Sequence, residues 1–157
     1  MSCDVAAAAY LFLAVAHPAP SRPMILIDAP AVSSVSKEPL FADIVKRAAG
    51  LKADADTYRK GLAGAPAAIA LPKFSDFQSR IAALSDLDMK GHLELAKRGT
   101  DGDLKCILKG ISQDLPKKLA DLTAAKTGPD QEQALRDMAY LLNDNVEVIT
   151  APPAPPV

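Results

Sequence analysis

Apolar residues recur every three or four positions through most of the chain between residues 39 and 142. This spacing places them on one face of an α-helix, and a helix of this kind buries that face against other helices. The clearest run follows Ser36, with Pro39 in its first turn, and ends near Gly61 and Gly64. The pattern therefore predicts a helical protein whose first helix begins close to Pro39.

Later in the chain, signals for helix starts and breaks interrupt the apolar pattern. Ser85 has the position of an N-terminal cap, so a new helix is expected there, after one that ends near Leu84. Pro116 lies inside the next long run, and a proline there removes one hydrogen bond and clashes with the carbonyl group four residues earlier. A break is expected between Ser112 and Asp114. These signals predict a mainly α fold, a small bundle of five to six short helices.

Two short segments at the ends of the helical pattern are typical of strands. Residues 24–28 (MILID) and 146–150 (VEVIT) are short and largely apolar. Residues 143–145 (NDN), just before the second segment, are a turn signal. The predicted fold therefore also allows two short terminal strands, which would pair with each other.

The apolar faces of the predicted helices are expected to form one shared core, since a chain of 157 residues is long enough to bury one. The residues expected to be buried together are Phe41, Ile44, Tyr58, Leu62, Ile81, Leu104, Ile107, Leu108, Leu119, Leu135, Met138 and Leu142.

The two ends of the chain differ from its middle in composition. Residues 1–23 contain an apolar run followed by a Pro-rich stretch, and residues 151–157 form a Pro-rich tail. Such stretches break helices and sheets. We therefore expect residues 24–150 to form a single helical domain.

The apolar run at residues 5–16 raises the question of the compartment. It has the length of a signal-peptide core and ends in small residues that resemble a cleavage site, but an acid and no base precede it. Three interpretations stay open: a cleaved signal, an extension upstream of a natural start at Met24, or an ordinary N-terminal helix. We expect a cytoplasmic protein, or a periplasmic or secreted one if residues 1–16 are cleaved.

Charge and cysteine content narrow the function classes. The net charge is −1 and the pI is about 6.1, so there is no electrostatic basis for binding nucleic acid or an anionic membrane surface. The run at residues 5–16 is too short for stable membrane insertion.

The two cysteines are Cys3 and Cys106. We expect no disulfide between them and interpret Cys106 as a reduced, buried, small hydrophobic residue.

The sequence shows no pattern typical of a metal site, a cofactor site or a catalytic site. The two histidines, His17 and His92, are 75 residues apart, and the cysteines do not have the spacing of a ligand pair. The glycines lack the lysine and hydroxyl residue that complete a phosphate-binding loop. We expect no metal, no cofactor and no catalytic residue, which makes an enzyme less favoured than a binding protein.

Residues 86–99 (DLDMKGHLELAKRG) carry the densest set of polar residues, and a calcium loop is the first function that they suggest. In the EF-hand alignment the two aspartates fall on positions 1 and 3, and Gly91 falls on position 6. Lys90 and Lys97 then occupy positions 5 and 12, where the ion needs oxygen ligands. The two cations exclude this type of calcium site.

His92 suggests a second function for the same stretch. Histidine phosphotransfer domains are helical bundles of about this size with one exposed histidine on a helix and a lysine three residues later. Here Lys97 follows by five residues, beyond the neighbours at three and four that share a helix face. Glu94 nearby would repel a phosphoryl group. A phosphorelay module using His92 is therefore kept as an alternative, without a family assignment.

A helix that ends at Gly99 explains almost every residue of the stretch. Gly91 is the exception, because glycine inside a helix costs about 1 kcal/mol relative to alanine, so we expect a close contact there with another helix or with a partner. The predicted partner-binding residues are Gly91, His92, Glu94 and Leu95.

The favoured function is a non-catalytic protein-binding or regulatory bundle that acts through helix faces on another protein or on a second copy. The alternatives are the phosphorelay module and an exported helical protein of the cell envelope.

Overall fold

In the computed structural model, residues 35–100 and 102–151 are described, and they form four long α-helices. The helices are α1 (Pro39–Leu62), α2 (Phe74–Arg98), α3 (Gly102–Ala124) and α4 (Gly128–Thr150), preceded by a short 3-10 helix at Val35–Lys37. The most extensive packing is of α1 on α4 and of α2 on α3. The predicted all-α class is confirmed, and within the described residues no strand is formed.

Successive helices alternate in direction. At one end, Ala67 in the α1–α2 connection forms an isolated antiparallel bridge with Thr127 in the α3–α4 connection. At the other end, Arg98 at the end of α2 forms an ion pair of 2.8 Å with Glu38, just before α1. The arrangement is therefore an up-down-up-down bundle of four helices.

The core agrees closely with the apolar spacing. Nine of the twelve residues expected to be buried are buried, and the other three are partly buried against the same cluster. Those three are Tyr58, Ile107 and Leu119. Tyr58 keeps its hydroxyl near the surface, where it donates to the carbonyl oxygen of Pro72 at 2.7 Å.

The expected breaks at Ser85 and near Pro116 are absent, so the count of five to six short helices is not confirmed. One continuous helix, α2, passes through Ser85, and another, α3, passes through Pro116. Ser85 does not cap a helix, because its hydroxyl donates to the carbonyl oxygen of Ser112 on α3 at 2.7 Å.

The contact between Ser85 and Ser112 explains how α3 accommodates a proline. In an α-helix the carbonyl group of residue 112 accepts from the amide of residue 116, and Pro116 has no amide hydrogen to donate. Ser112 is buried, at 4% exposure, so an unmet carbonyl there would be costly. The hydroxyl of Ser85 on the neighbouring helix supplies the missing donor.

The expected strand at residues 146–150 is wrong, because α4 continues to Thr150. The predicted turn at residues 143–145 is helical as well, since Asn143 donates to Glu147 one turn later at 2.7 Å and Asn145 points into the core. Burial of Ile149 outweighs the modest preference of β-branched residues for strands. The other strand candidate, residues 24–28, lies outside the described residues.

The connection between α1 and α2 is held against the start of α4 by backbone contacts. Gln131 donates from Nε2 to the carbonyl oxygen of Ile69 and accepts at Oε1 from the amide of the same residue, both at 2.9 Å. Gly128 lies so close that an added Cβ would be 1.7 Å from the carbonyl oxygen of Ala65. Only glycine fits this position with the backbone as it is.

Replacing Ser85 with alanine should lower the free energy of unfolding by about 1–3 kcal/mol, because the buried carbonyl of Ser112 loses its donor. Denaturant unfolding measures the loss. The matched control is Ser79→Ala, since that exposed hydroxyl only donates to a carbonyl of its own helix and should change stability by less than about 0.5 kcal/mol.

Ser85→Ala in a Pro116→Ala background distinguishes loss of the hydrogen bond to Ser112 from a general loss of packing. Alanine at position 116 restores the amide, so Ser85→Ala should then cost clearly less than it does beside the proline. Equal losses in the two backgrounds would show that the hydroxyl does not replace the missing amide.

Candidate functional site

The C-terminal half of α2 contains all four predicted partner-binding residues, on two opposite sides of the helix. Gly91 and Leu95 face inward and are buried. His92 and Glu94 are half-buried at the edges of the outward side. Between them, Leu93 is 59% exposed. Direct contact with a partner is thus open to His92 and Glu94, while partner binding by any of the four residues stays a prediction.

Gly91 lies at a tight contact between helices of the same chain. A Cβ atom added there would be 3.2 Å from Cδ1 of Leu108 on α3. It would also be 3.3 Å from Cδ1 of Ile44 and from Cε1 of Phe41, both on α1. The three neighbouring side chains are buried in the core. The missing side chain therefore lets α1 and α3 approach α2 together, which accounts for a glycine inside this helix.

His92 links α2 to α3 through one ring nitrogen. Its Nδ1 lies 2.8 Å from the carbonyl oxygen of Lys105. Because a carbonyl oxygen only accepts, Nδ1 carries the hydrogen in this contact. In the neutral ring Nε2 is then the nitrogen with the free lone pair, while the contact at Nδ1 fixes the orientation of the ring.

Glu94 belongs to a surface network at the end of the bundle. It pairs with Arg98 at 3.1 Å, one turn later on α2, and Arg98 also pairs with Glu38. The hydrogen bond from Arg98 lowers the pKa of Glu38. All three side chains are substantially exposed, so the network contributes little to stability. Glu94 is held in place without being removed from solvent.

A buried polar pair that the sequence did not reveal lies directly beneath this segment. Asp88 on α2 and Asn145 on α4 are both 0% exposed, and Nδ2 of Asn145 donates to Oδ2 of Asp88 at 2.8 Å. Burial raises the pKa of Asp88 to about 8, while the hydrogen bond from Asn145 acts in the opposite direction. In sequence, the only signal was the position of Asp88 on the apolar side of α2, four residues after Leu84 and three before Gly91.

A groove of about 360 Å³ between α1 and α2 is another feature with the outline of a site. Its cations are Lys46, Arg47 and Arg80. Arg47 is paired with Asp43 at 2.9 Å and Arg80 with Asp54 at 2.7 Å. An anion entering the groove would have to displace these carboxylates, so the groove is a poor anion site.

The expectation of a reduced, buried Cys106 is wrong. Cys106 is disulfide-bonded and half-buried, and its partner lies outside the described residues. Ile107, the next residue in sequence, is apolar, which suggested a core position, but Cys106 does not belong to the cluster of buried residues.

Two other kinds of site are not formed by residues 35–100 and 102–151. That part of the chain holds no group of three or more histidine, cysteine or acidic side chains able to share a metal ion. None of its helices combines the length and apolar character needed to cross a bilayer. Comparison with known protein families, with curated proteins and with solved structures finds no match to this chain.

Replacing Gly91 with alanine should destabilise the isolated protein by about 1 kcal/mol. The added methyl group would press on three core side chains, at a cost of about 1–3 kcal/mol, against a gain of about 1 kcal/mol in helix propensity. Thermal and denaturant unfolding measure the net change.

Gly110→Ala is the matched control for this substitution. Gly110 lies inside α3, and a Cβ added there would meet no atom within 4 Å, so alanine should stabilise the protein by about 0.4–1 kcal/mol. Stabilisation by both substitutions would show that the contact at Gly91 does not determine the packing of α2.

Proposed function

We propose that the protein is a non-catalytic helical bundle that binds another protein, or a second copy of itself, through the outward face of α2. The observation that carries the proposal is the exposure of Leu93, at 59%, between His92 and Glu94. A large apolar side chain that is exposed in the free protein contributes binding energy when a partner covers it.

The surroundings of Leu93 give the expected partner a chemical character. Asp86, Lys90, Leu93 and Lys97 are all exposed and follow one another at steps of four, three and four residues, so they form one stripe along α2. We call these four residues the α2 stripe. Lysines stand on both sides of the leucine. A partner with an apolar pocket bordered by carboxylates would fit it, since such charges guide encounter and register.

The inward side of α2 supports binding because it keeps the stripe in one position. Gly91 and Leu95 are buried against the neighbouring helices, and His92 is hydrogen-bonded to α3. A preformed helix face loses little conformational freedom on binding, which favours affinity. In this proposal Gly91 and Leu95 hold α2 in position through their buried contacts, and His92 and Glu94 lie at the border of the contact with the partner.

A phosphorelay role for His92 is the second candidate, favoured by one observation. The hydrogen bond from Nδ1 to Lys105 leaves Nε2 as the nitrogen with the free lone pair, and a phosphoryl group needs such a nucleophile. Glu94, two residues later in the chain, adds a negative charge that would repel the phosphoryl group, and Lys97 lies on the α2 stripe rather than next to the ring. We therefore favour protein binding over phosphoryl transfer.

The cellular compartment is a separate proposal, and the state of the two cysteines is evidence for it. The sequence favoured the cytoplasm, whereas a disulfide-bonded Cys106 favours an oxidising compartment, where disulfides persist. The chain holds two cysteines, so a bridge within the chain and removal of residues 1–16 exclude each other. We propose an exported protein as the alternative location, and the N-terminus of the native protein distinguishes a cleaved from an uncleaved form.

Replacing Leu93 with alanine should weaken partner binding by about tenfold or more, as expected for a central contact worth above 1.4 kcal/mol. Wild-type and variant proteins would be used as bait in extracts of the native cell, and the captured protein purified and titrated against both. Sedimentation of the pure protein tests self-association in the same way.

Tyr140→Ala is the matched control, because Tyr140 is also a large exposed side chain, at 69%, and lies on a different helix, α4. It should leave binding unchanged, and both variants should keep the wild-type stability. Unchanged binding by the Leu93 variant, or a loss seen only with Tyr140, would remove the α2 stripe as the binding surface.

His92 is expected to accept no phosphoryl group from a histidine-kinase phosphorelay or from small phosphoryl donors, because Glu94 is close in sequence and disfavours the anion, and Lys97, five residues later, is out of reach of the ring. Labelling with radioactive phosphoryl donor followed by acid treatment measures this directly. An acid-labile label on the wild type that disappears in His92→Gln would instead support the phosphorelay candidate.

A further inference from the structure

The buried pair formed by Asp88 and Asn145 has two oxygen atoms without partners. Nδ2 of Asn145 donates to Oδ2 of Asp88, while Oδ1 of Asp88 and Oδ1 of Asn145 are buried and accept no hydrogen bond from the described residues. Buried acceptors of this kind are rare, and each one requires an explanation. Both atoms here belong to two side chains that are already in contact.

A single proton satisfies both oxygens. A carboxylic acid and a primary amide can join through two hydrogen bonds, with the amide NH₂ donating to one carboxyl oxygen and the carboxyl O–H donating to the amide oxygen. The first of these bonds is present at 2.8 Å. Protonation of Asp88 on Oδ1 supplies the second one and also removes the cost of a buried, unpaired charge.

We propose that Asp88 and Asn145 form a proton-dependent latch between α2 and α4, in which protonated Asp88 donates to Oδ1 of Asn145 and loss of that proton weakens the contact. The latch joins two helices that share no other extensive contact in the bundle. It therefore adds a contact with α4 to the packing that α2 already has with α3 and α1.

The charges around the latch are arranged so that none of them replaces the proton. Next in sequence to buried residues of the four helices stand the titratable side chains Asp43 on α1, Lys90 and His92 on α2, Lys109 on α3 and Asp144 on α4. None of them contributes to the raised pKa of Asp88, which comes from burial, opposed by the hydrogen bond from Asn145. Among the described residues, no cation is a cause of the shift in this pKa.

The direction of the pH effect follows from the pKa of the folded state. It is raised to about 8 from an ordinary value of 3.8, so between these limits the folded protein holds a proton that the unfolded chain releases. The stabilising contribution is complete below the unfolded value and is lost as the pH rises through the folded value. Over that range the folding equilibrium constant falls by up to about tenfold per pH unit from this group alone.

The test measures the titration of Asp88 and its effect on stability in the full chain. Carbon-13 NMR of the side-chain carboxyl group should give a midpoint near 8 for Asp88 in the wild type. Unfolding midpoints would be measured from pH 5 to pH 9 for the wild type and for Asp88→Asn. Asparagine imitates the protonated acid, so this variant should lose the fall in stability above pH 5 that the wild type shows.

Asp86→Asn is the control for the change in net charge, since Asp86 is exposed on the same helix two residues earlier. It should keep the pH dependence of the wild type. A carboxyl midpoint near 4 for Asp88 overturns the proposal. This measurement uses the wild type, so it does not depend on whether a variant folds. A fall in stability for Asp88→Asn as steep as in the wild type overturns it as well.

Discussion

Every polar group that α2 carries into the bundle has to find a hydrogen-bond partner on another helix, and this requirement determines how α2 packs. Ser85 and His92 meet backbone carbonyls of α3, at 2.7 Å and 2.8 Å, and Asp88 meets a side chain of α4 at 2.8 Å. A shift of α2 along its axis would break all three contacts at once. Apolar packing favours burial of this face, but these contacts select one register.

The apolar spacing was sufficient to predict the helical class, the start of α1 at Pro39 and most of the core, because burial of a helix face depends on periodicity alone. The local rules for breaks failed where another helix supplied what a residue lacked. Pro116 stays inside α3 because a serine on α2 donates to the carbonyl that the proline leaves unmet. Residues 146–150 are helical because tertiary burial outweighs their local preference. A single sequence identifies neither the serine that compensates for Pro116 nor the helices that bury residues 146–150.

The candidate site was only partly accessible to sequence reasoning. Gly91 stood out because it violates helix preference, and the structure supplies its cause in the contacts with Leu108 and α1. In sequence, Asp88 suits the first turn of a helix that would start at Ser85, where an acid is favourable, and this local explanation hides its burial. Once α2 is continuous, Asp88 falls in mid-helix on the apolar side, and its partner lies 57 residues away in a segment with the composition of a turn and a strand.

The two hydrogen bonds between Gln131 and Ile69 have a consequence for how this sequence can vary. Both bonds reach the backbone of residue 69, whose own side chain is 43% exposed. Evolution can therefore replace the isoleucine with almost any residue except proline, which lacks the amide hydrogen. Gln131 has no such freedom, because few other side chains offer a donor and an acceptor at this reach. Among relatives of this chain, the connection would diverge in sequence while the glutamine that holds it is retained.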